Sequence, residues 1–221
     1  MALAGLVFDF DGTILDTEDS VHRAWHELWA SHGVDLPRAE WQAILGTDGG
    51  FDAWAELERR LGQAVDPQLR DQRRARRDEL LHAEVPRPGV VAWLDEADRL
   101  GVPVAIASSS PPDWVDGHLV RLGLLDRFAF LACCDGDIPG KPDPTSFRVA
   151  CESIGADPSV SVAVEDSPHG IAAAVAAGLF TVAVPHPLTV DLDLSAADVV
   201  VGSLDEVRLA DVLARAAAGD S

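Results

Sequence analysis

Apolar and polar positions alternate between two regimes along the chain. A short apolar stretch, Leu3-Ala4-Gly5-Leu6-Val7-Phe8, runs into Asp9-Phe10-Asp11-Gly12-Thr13 and predicts a buried strand ending in charge. From about Thr17 to Val85 the period is helical. Val21, Trp25, Leu28 and Trp29 share one helix face, with Gly33 placed to stop it. Pro37 opens a second helix through Trp41, Ile44 and Leu45 to Gly46, and Phe51, Trp54, Leu57 and Leu61 mark a third that ends at Gly62. Asp66-Pro67 begins a fourth, which carries Arg70, Arg73, Arg74, Arg76 and Arg77.

Beyond Pro88, short β-rich runs (Val102 to Ala107, Phe128 to Cys133, Val160 to Val164, Phe180 to Val184 and a weaker Ala197 to Val201) alternate with helical segments. The helical segments are Val90 to Leu100, Pro112 to Leu122, Pro144 to Ile154 and Pro168 to Ala177. Strand and helix in alternation predict an α/β core, a doubly wound parallel sheet with helices on both faces, whose ligands gather beyond the carboxyl ends of the strands. The all-helical block interrupts that core, giving a core of 1–16 and 86–221 and a helical insert of 17–85. The C-terminal end reads only as a few small residues.

Composition narrows the function. The 221 residues are 48% hydrophobic, enough for a packed core, and no run reaches the roughly 18 apolar residues of a membrane span. No basic segment precedes an apolar leader, so a soluble, cytoplasmic protein is expected. Seventeen basic against 37 acidic residues give a formal charge of −20, which argues against nucleic acid or an anionic membrane as partner. An anionic substrate would need cations placed locally. Cys133, Cys134 and Cys151 lack metal-ligand spacing and read as small buried thiols.

The candidate chemistry sits at predicted strand ends. Asp9 and Asp11, two residues apart on an extended segment, point the same way, and burying them without a cation would cost several kcal/mol, on the order of 2–7 even for a neutral polar group. Gly12 permits a sharp turn and close backbone approach, and Thr13 adds a hydroxyl. After the second strand, Ser108-Ser109-Ser110 lead into a helix and could cradle a phosphate. Lys141 is the sole lysine of the chain; all the other strongly basic residues are arginine. Its compact ammonium can reach a phosphate and a carboxylate together. The fourth strand ends in Glu165-Asp166-Ser167-Pro168, two carboxylates followed by a helix-capping serine and a first-turn proline.

Four such motifs in this order resemble the haloacid dehalogenase superfamily, in its phosphatase and β-phosphoglucomutase branch with an inserted helical cap. The resemblance covers most of the chain. It implies Asp9 as nucleophile and Asp11 as general acid and base, with Gly12, Ser108, Ser109 and Lys141 on the phosphoryl group. It further implies Mg²⁺ held by Asp9, Asp11 through its backbone carbonyl, and Asp166, with Glu165 and Ser167 direct or through water. The partner implied is a small phosphorylated metabolite such as a sugar phosphate or phosphoglycolate, and the protein a monomer or weak homodimer. Glu18, His22, Thr47, Arg74 and Arg77 are the candidate substrate residues of the cap, with Glu18, His22, Trp25 and His26 near its expected entrance. A run of arginines is more often a solvated face, and Trp25 and Trp29 suit the cap's core.

In β-phosphoglucomutases a His lies four residues beyond the first motif's Asp-Thr pair, and an Arg three residues after the cap's Gly. Here the same counts fall on Val21 and Gly49, which favours hydrolysis over mutase chemistry; His22 is one residue off, about 100° around the helix. A phospho-accepting signalling domain would be shorter and lack the insert, and an inactive binding protein would not need the full acidic set.

Overall fold

The computed structural model describes residues 2–47 and 50–219. Six parallel strands form one sheet: β1 (Leu6–Phe8), β2 (Val104–Ser108), β3 (Phe130–Cys133), β4 (Val162–Glu165), β5 (Phe180–Ala183) and β6 (Val199–Val200). Their order is β3-β2-β1-β4-β5-β6, so β1 lies centrally with Phe8 paired to Ile106 on one side and Val164 on the other. Where the order reverses, at β1, two neighbouring crossovers leave in opposite directions and open a crevice at the carboxyl ends.

The two sheet faces divide as strand geometry requires. Leu6 and Phe8 face one way, with Val104, Ile106, Val162 and Val164, against α5 (Val90–Leu100) and α6 (Pro112–Leu122). Val7 faces the other way, with Ala105, Ala107 and Ala163, against α7 (Thr145–Ser153) and α8 (Pro168–Ala177). Alanines on this second face let Phe147, Ala150 and Ala174 approach closely.

Between β1 and α5 stand four helices: α1 (Thr17–Ser31), α2 (Arg38–Gln42), α3 (Ala53–Leu61) and α4 (Gln68–Ala83). They enclose their own apolar cluster, built on Trp25, Leu28, Trp29, Leu36, Trp41 and Leu57. Asp16 caps α1 by accepting from the Asp19 amide at 3.2 Å, and Gly33 and Gly62 follow α1 and α3 in left-handed conformations. The arginines of α4 largely cover this block: Arg76 pairs with Glu27 and Glu79, while Arg70 and Arg73 lie over the rings of Trp54 and Trp25.

The C-terminal segment departs from expectation. Residues Leu209–Ala218 form a further helix, α9, with Leu209, Val212 and Ala216 buried against the first sheet face. Those apolar positions recur at helical spacing, a signal masked by the surrounding alanines. Among the described residues no helix is long and apolar enough to cross a membrane. Cys133 and Cys151 are buried free thiols, and burial pushes them up to about 12 and about 11.

Candidate active site

The first strand ends by design. Beyond Phe8 the Asp9 amide still donates to Val164 O at 2.9 Å, and then the chain curls so that the amides of Thr13, Ile14 and Leu15 return to Phe10 O. Gly12 makes the curl possible, with φ +81°; a β-carbon there would stand 2.6 Å from Asp166 Oδ2. The glycine therefore brings the β1 loop against the acidic end of β4.

Asp9 is buried, with one carboxylate oxygen on Lys141 Nζ and the other, Oδ2, without a protein partner. Lys141 also donates to Glu165 Oε1 at 2.6 Å and stands 4.9 Å over the Phe147 ring. The remaining oxygen of Glu165 accepts from the Asp166 amide (3.0 Å), the Ser167 amide (3.3 Å) and Ser167 Oγ (3.2 Å). Asp166 Oδ1 accepts from Thr13 Oγ1 at 3.2 Å.

Negative charge is in excess here. Burial raises the Asp9 carboxyl well above its ordinary value; Lys141 pulls it down, while Glu165, Asp166 and Asp11 push it further up. Burial likewise raises Glu165, and the two acids together hold the Lys141 ammonium firmly protonated. Glu18, at the start of α1, is pushed up to about 8, first by burial and then by Asp11, Asp166 and Asp16. One ammonium serves this whole set. Asp9, Glu165 and Asp166 each offer an oxygen within 4.8 Å of the others, hard donors suited to Mg²⁺, and the orphaned Asp9 Oδ2 is the kind of atom a cation satisfies.

Asp11 has a different environment. Its carboxylate accepts from Thr17 Oγ1 (2.7 Å), Ser110 Oγ (2.5 Å) and Trp114 Nε1 (2.8 Å), so it is turned from Lys141 toward α1 and α6. Arg77 lies over the Trp114 ring at 5.5 Å, linking α4 to this acid. Ser108 is buried and its oxygen accepts from the Ser110 amide at 3.0 Å. The Ser109 hydroxyl is committed elsewhere, donating to Gly46 O and accepting from the Lys141 amide, both at 3.0 Å.

The helical block sits down on this end of the sheet. Gly46, at φ +78°, passes so close to Ser167 that a β-carbon would lie 2.3 Å from its Oγ, and His169 Nδ1 is 3.1 Å from Leu45 O. Thr47 Oγ1 donates to Ile44 O at 2.7 Å within the same turn. His22 packs against the His26 and Trp41 rings, inside the aromatic cluster. Arg74 is exposed on α4. Gly49 lies outside the described residues.

Ser110, read with Ser108 and Ser109 as a phosphate cradle, instead donates to Asp11, while Thr17, Trp114, Arg87 and His186 escaped the sequence reading. Arg87 donates to the carbonyls of Gly12, Val184 (2.9 Å) and Pro185 (2.8 Å), tying the β1 loop to the exit of β5. A histidine between two prolines just after a strand was a legible signal for His186; nothing in the pattern singled out Trp114.

The chain is similar to known proteins over most of its length. Residues 3–178 match the family model described as haloacid dehalogenase-like hydrolase. YhcW of Bacillus subtilis (strain 168) is 37% identical over 94% of this chain and 95% of its own length. The fructose-1-phosphate phosphatase YqaB of Escherichia coli (strain K12) is 34% identical over 80% of this chain and 93% of its own. The crystal structure of a CbbY mutant from Rhodobacter sphaeroides in complex with xylulose-(1,5)bisphosphate shares 30% identity at a TM-score of 0.73, covering 96% of this chain and 99% of that one.

Proposed function

This chain belongs to the haloacid dehalogenase-like hydrolases, and from that membership we propose a Mg²⁺-dependent phosphatase that hydrolyses a small phosphorylated metabolite, a sugar phosphate or phosphoglycolate-like ester. The observation that carries it is Asp9: buried beside Glu165 and Asp166, charge-paired to the sole lysine through one oxygen, with the other unpartnered. An oxygen of the Asp9 carboxylate attacks phosphorus, the ester P–O bond to the leaving oxygen breaks, and an aspartyl-phosphate forms.

Asp11 gives a proton to the departing oxygen and then takes one from the water that hydrolyses the intermediate. Its hydroxyl and indole partners keep it clear of Lys141, as separate roles require. Lys141, Ser108 and the backbone N–H groups after Asp9 bind the phosphoryl oxygens. Mg²⁺ would be held by Asp9, the Asp11 carbonyl and Asp166, with Glu165 and Ser167 direct or through water, and supplies positive charge against the phosphoryl oxygens. Glu165, bonded to Lys141 and to its own loop, also aims the ammonium.

The block 17–85 acts as a cap over the core of 1–16 and 86–221. Its Leu45-Gly46 turn, seated on Ser109 and His169, excludes water during transfer. Hydrolysis is favoured over phosphosugar mutation because His22 is engaged with aromatic rings and Val21 stands where a mutase carries its histidine. YqaB and CbbY, relatives acting on or holding sugar phosphates, direct the first assays.

The test is Mg²⁺-dependent phosphate release from a panel of sugar phosphates and phosphoglycolate, with β-glucose 1-phosphate isomerisation as mutase control. Release from at least one ester, lost in Asp9→Asn, is expected. Isomerisation without release would replace the reading by a mutase.

A further inference from the structure

The segment leaving β5, Pro185-His186-Pro187-Leu188-Thr189-Val190-Asp191, touches both halves of the molecule. At its root His186 is buried, with Nε2 2.9 Å from Asp166 Oδ2. The Leu188 amide approaches Nδ1 at 3.4 Å and claims it as acceptor, which leaves the ring proton on Nε2, beside the carboxylate. Nε2 has no aligned acceptor, so the contact is electrostatic and not an in-line hydrogen bond. Thr189 closes a tight turn here, its Oγ1 accepting from the His186 amide at 3.0 Å and its own amide donating to His186 O at 2.9 Å.

Two residues along, the surroundings change. Leu188 is buried among Trp25, Trp29, Trp41 and Leu45, the apolar cluster of the helical block and not of the sheet. Gln42 Nε2 donates to Leu188 O at 2.7 Å, and Arg38 reaches Pro187 O (3.2 Å) and Asp191 (3.0 Å). Flanking prolines stiffen the turn. A displacement of Leu188 is therefore carried to the imidazole instead of being absorbed.

We propose that His186 is a positioning residue for Asp166 and that Leu188 is the handle by which the seated cap holds it there. Thr13 approaches one Asp166 oxygen and His186 the other, so together they fix the rotation of the carboxylate. Cap seating thus raises the core's affinity for its cation, and by linkage the bound cation favours the seated cap. This rests on the assignment of Asp166 as a Mg²⁺ ligand.

Isothermal titration of MgCl₂ into the metal-free full-length protein tests it without reference to turnover. Asp166→Asn should abolish measurable binding; wild-type affinity in that variant would defeat the ligand assignment itself. Given that loss, His186→Phe should weaken binding about tenfold or more, and His186→Gln, which restores an N–H near Nε2, should recover most of it. Leu188→Ala should weaken it about three- to tenfold, and the double variant with His186→Phe should be no weaker than His186→Phe alone, because both act along one path. Wild-type affinity in a Leu188→Ala protein with native circular dichroism overturns the link, as do additive losses. If Leu188→Ala does not fold, Gln42→Ala takes its place with an expected loss of about twofold, and wild-type affinity there overturns the link equally.

Discussion

Replacing Lys141 by Met removes the cation paired with Asp9 and Glu165 while nearly preserving volume. Lys141 is buried, and its ammonium contacts both Asp9 and Glu165, themselves buried. Deleting one member of a buried ionic group leaves its partners uncompensated, which costs about 3–5 kcal/mol. At roughly 2–4 °C per kcal/mol for a chain of this length, the melting temperature should fall on the order of 10 °C. The deficit should also depend on pH. Asp9 and Glu165 are already held above their ordinary values by burial, so without Lys141 the folded state takes up protons that the unfolded state has released. Stability of the variant should therefore rise as pH falls from 8 toward 5, narrowing the gap to wild type. Urea unfolding of both metal-free proteins at pH 5 and pH 8 measures this. A gap below about 1 kcal/mol at pH 8, or one independent of pH, would refute the reasoning that Lys141 balances charge here.

Other variants probe other joints. Glu18, pushed up to about 8 from 4.5, binds a proton in the folded state that the unfolded state loses, so metal-free stability should fall as pH rises through that window; Glu18→Gln should lessen the slope and Mg²⁺ should flatten it, both read from urea midpoints. Gly33→Ala and Gly46→Ala both force a left-handed alanine, costing about 1–2 kcal/mol, but a β-carbon at 33 meets open space whereas one at 46 meets Ser167. Only Gly46→Ala should raise KM and lower kcat in steady-state assays. Trp114→Phe keeps the ring under Arg77 but removes the donor to Asp11, and kcat should drop about tenfold with KM little changed.

Much of this molecule was legible in its sequence because backbone rules act locally. Alternation of β-rich runs with helices gave the parallel sheet, and Gly33 and Gly62 marked helix ends where left-handed residues are found. Asp9, Lys141, Glu165 and Asp166 stood out because acids and a lone lysine at strand ends demand one another, and the fold gathers them. Helix α9 escaped because its alanines diluted the apolar rhythm. Trp114 escaped for another reason: it acts on a carboxylate far away in the chain, across a separation that no local pattern encodes, and although the prolines around His186 marked it, its partner Asp166 could not be read from them. The commitment of the Ser109 hydroxyl to Gly46 likewise depends on how the helical block comes down on the sheet.

Asp9 as the phosphoryl acceptor is open to direct trial. Protein turning over p-nitrophenyl phosphate with Mg²⁺ is quenched in acid, digested and mapped by mass spectrometry, alongside Asp9→Asn. A single phosphoryl group on the peptide containing Asp9, dependent on Mg²⁺, lost on chase with buffer and never formed in Asp9→Asn, is the predicted result. Sustained turnover by Asp9→Asn, or a phosphoryl group on another residue in its place, would contradict it.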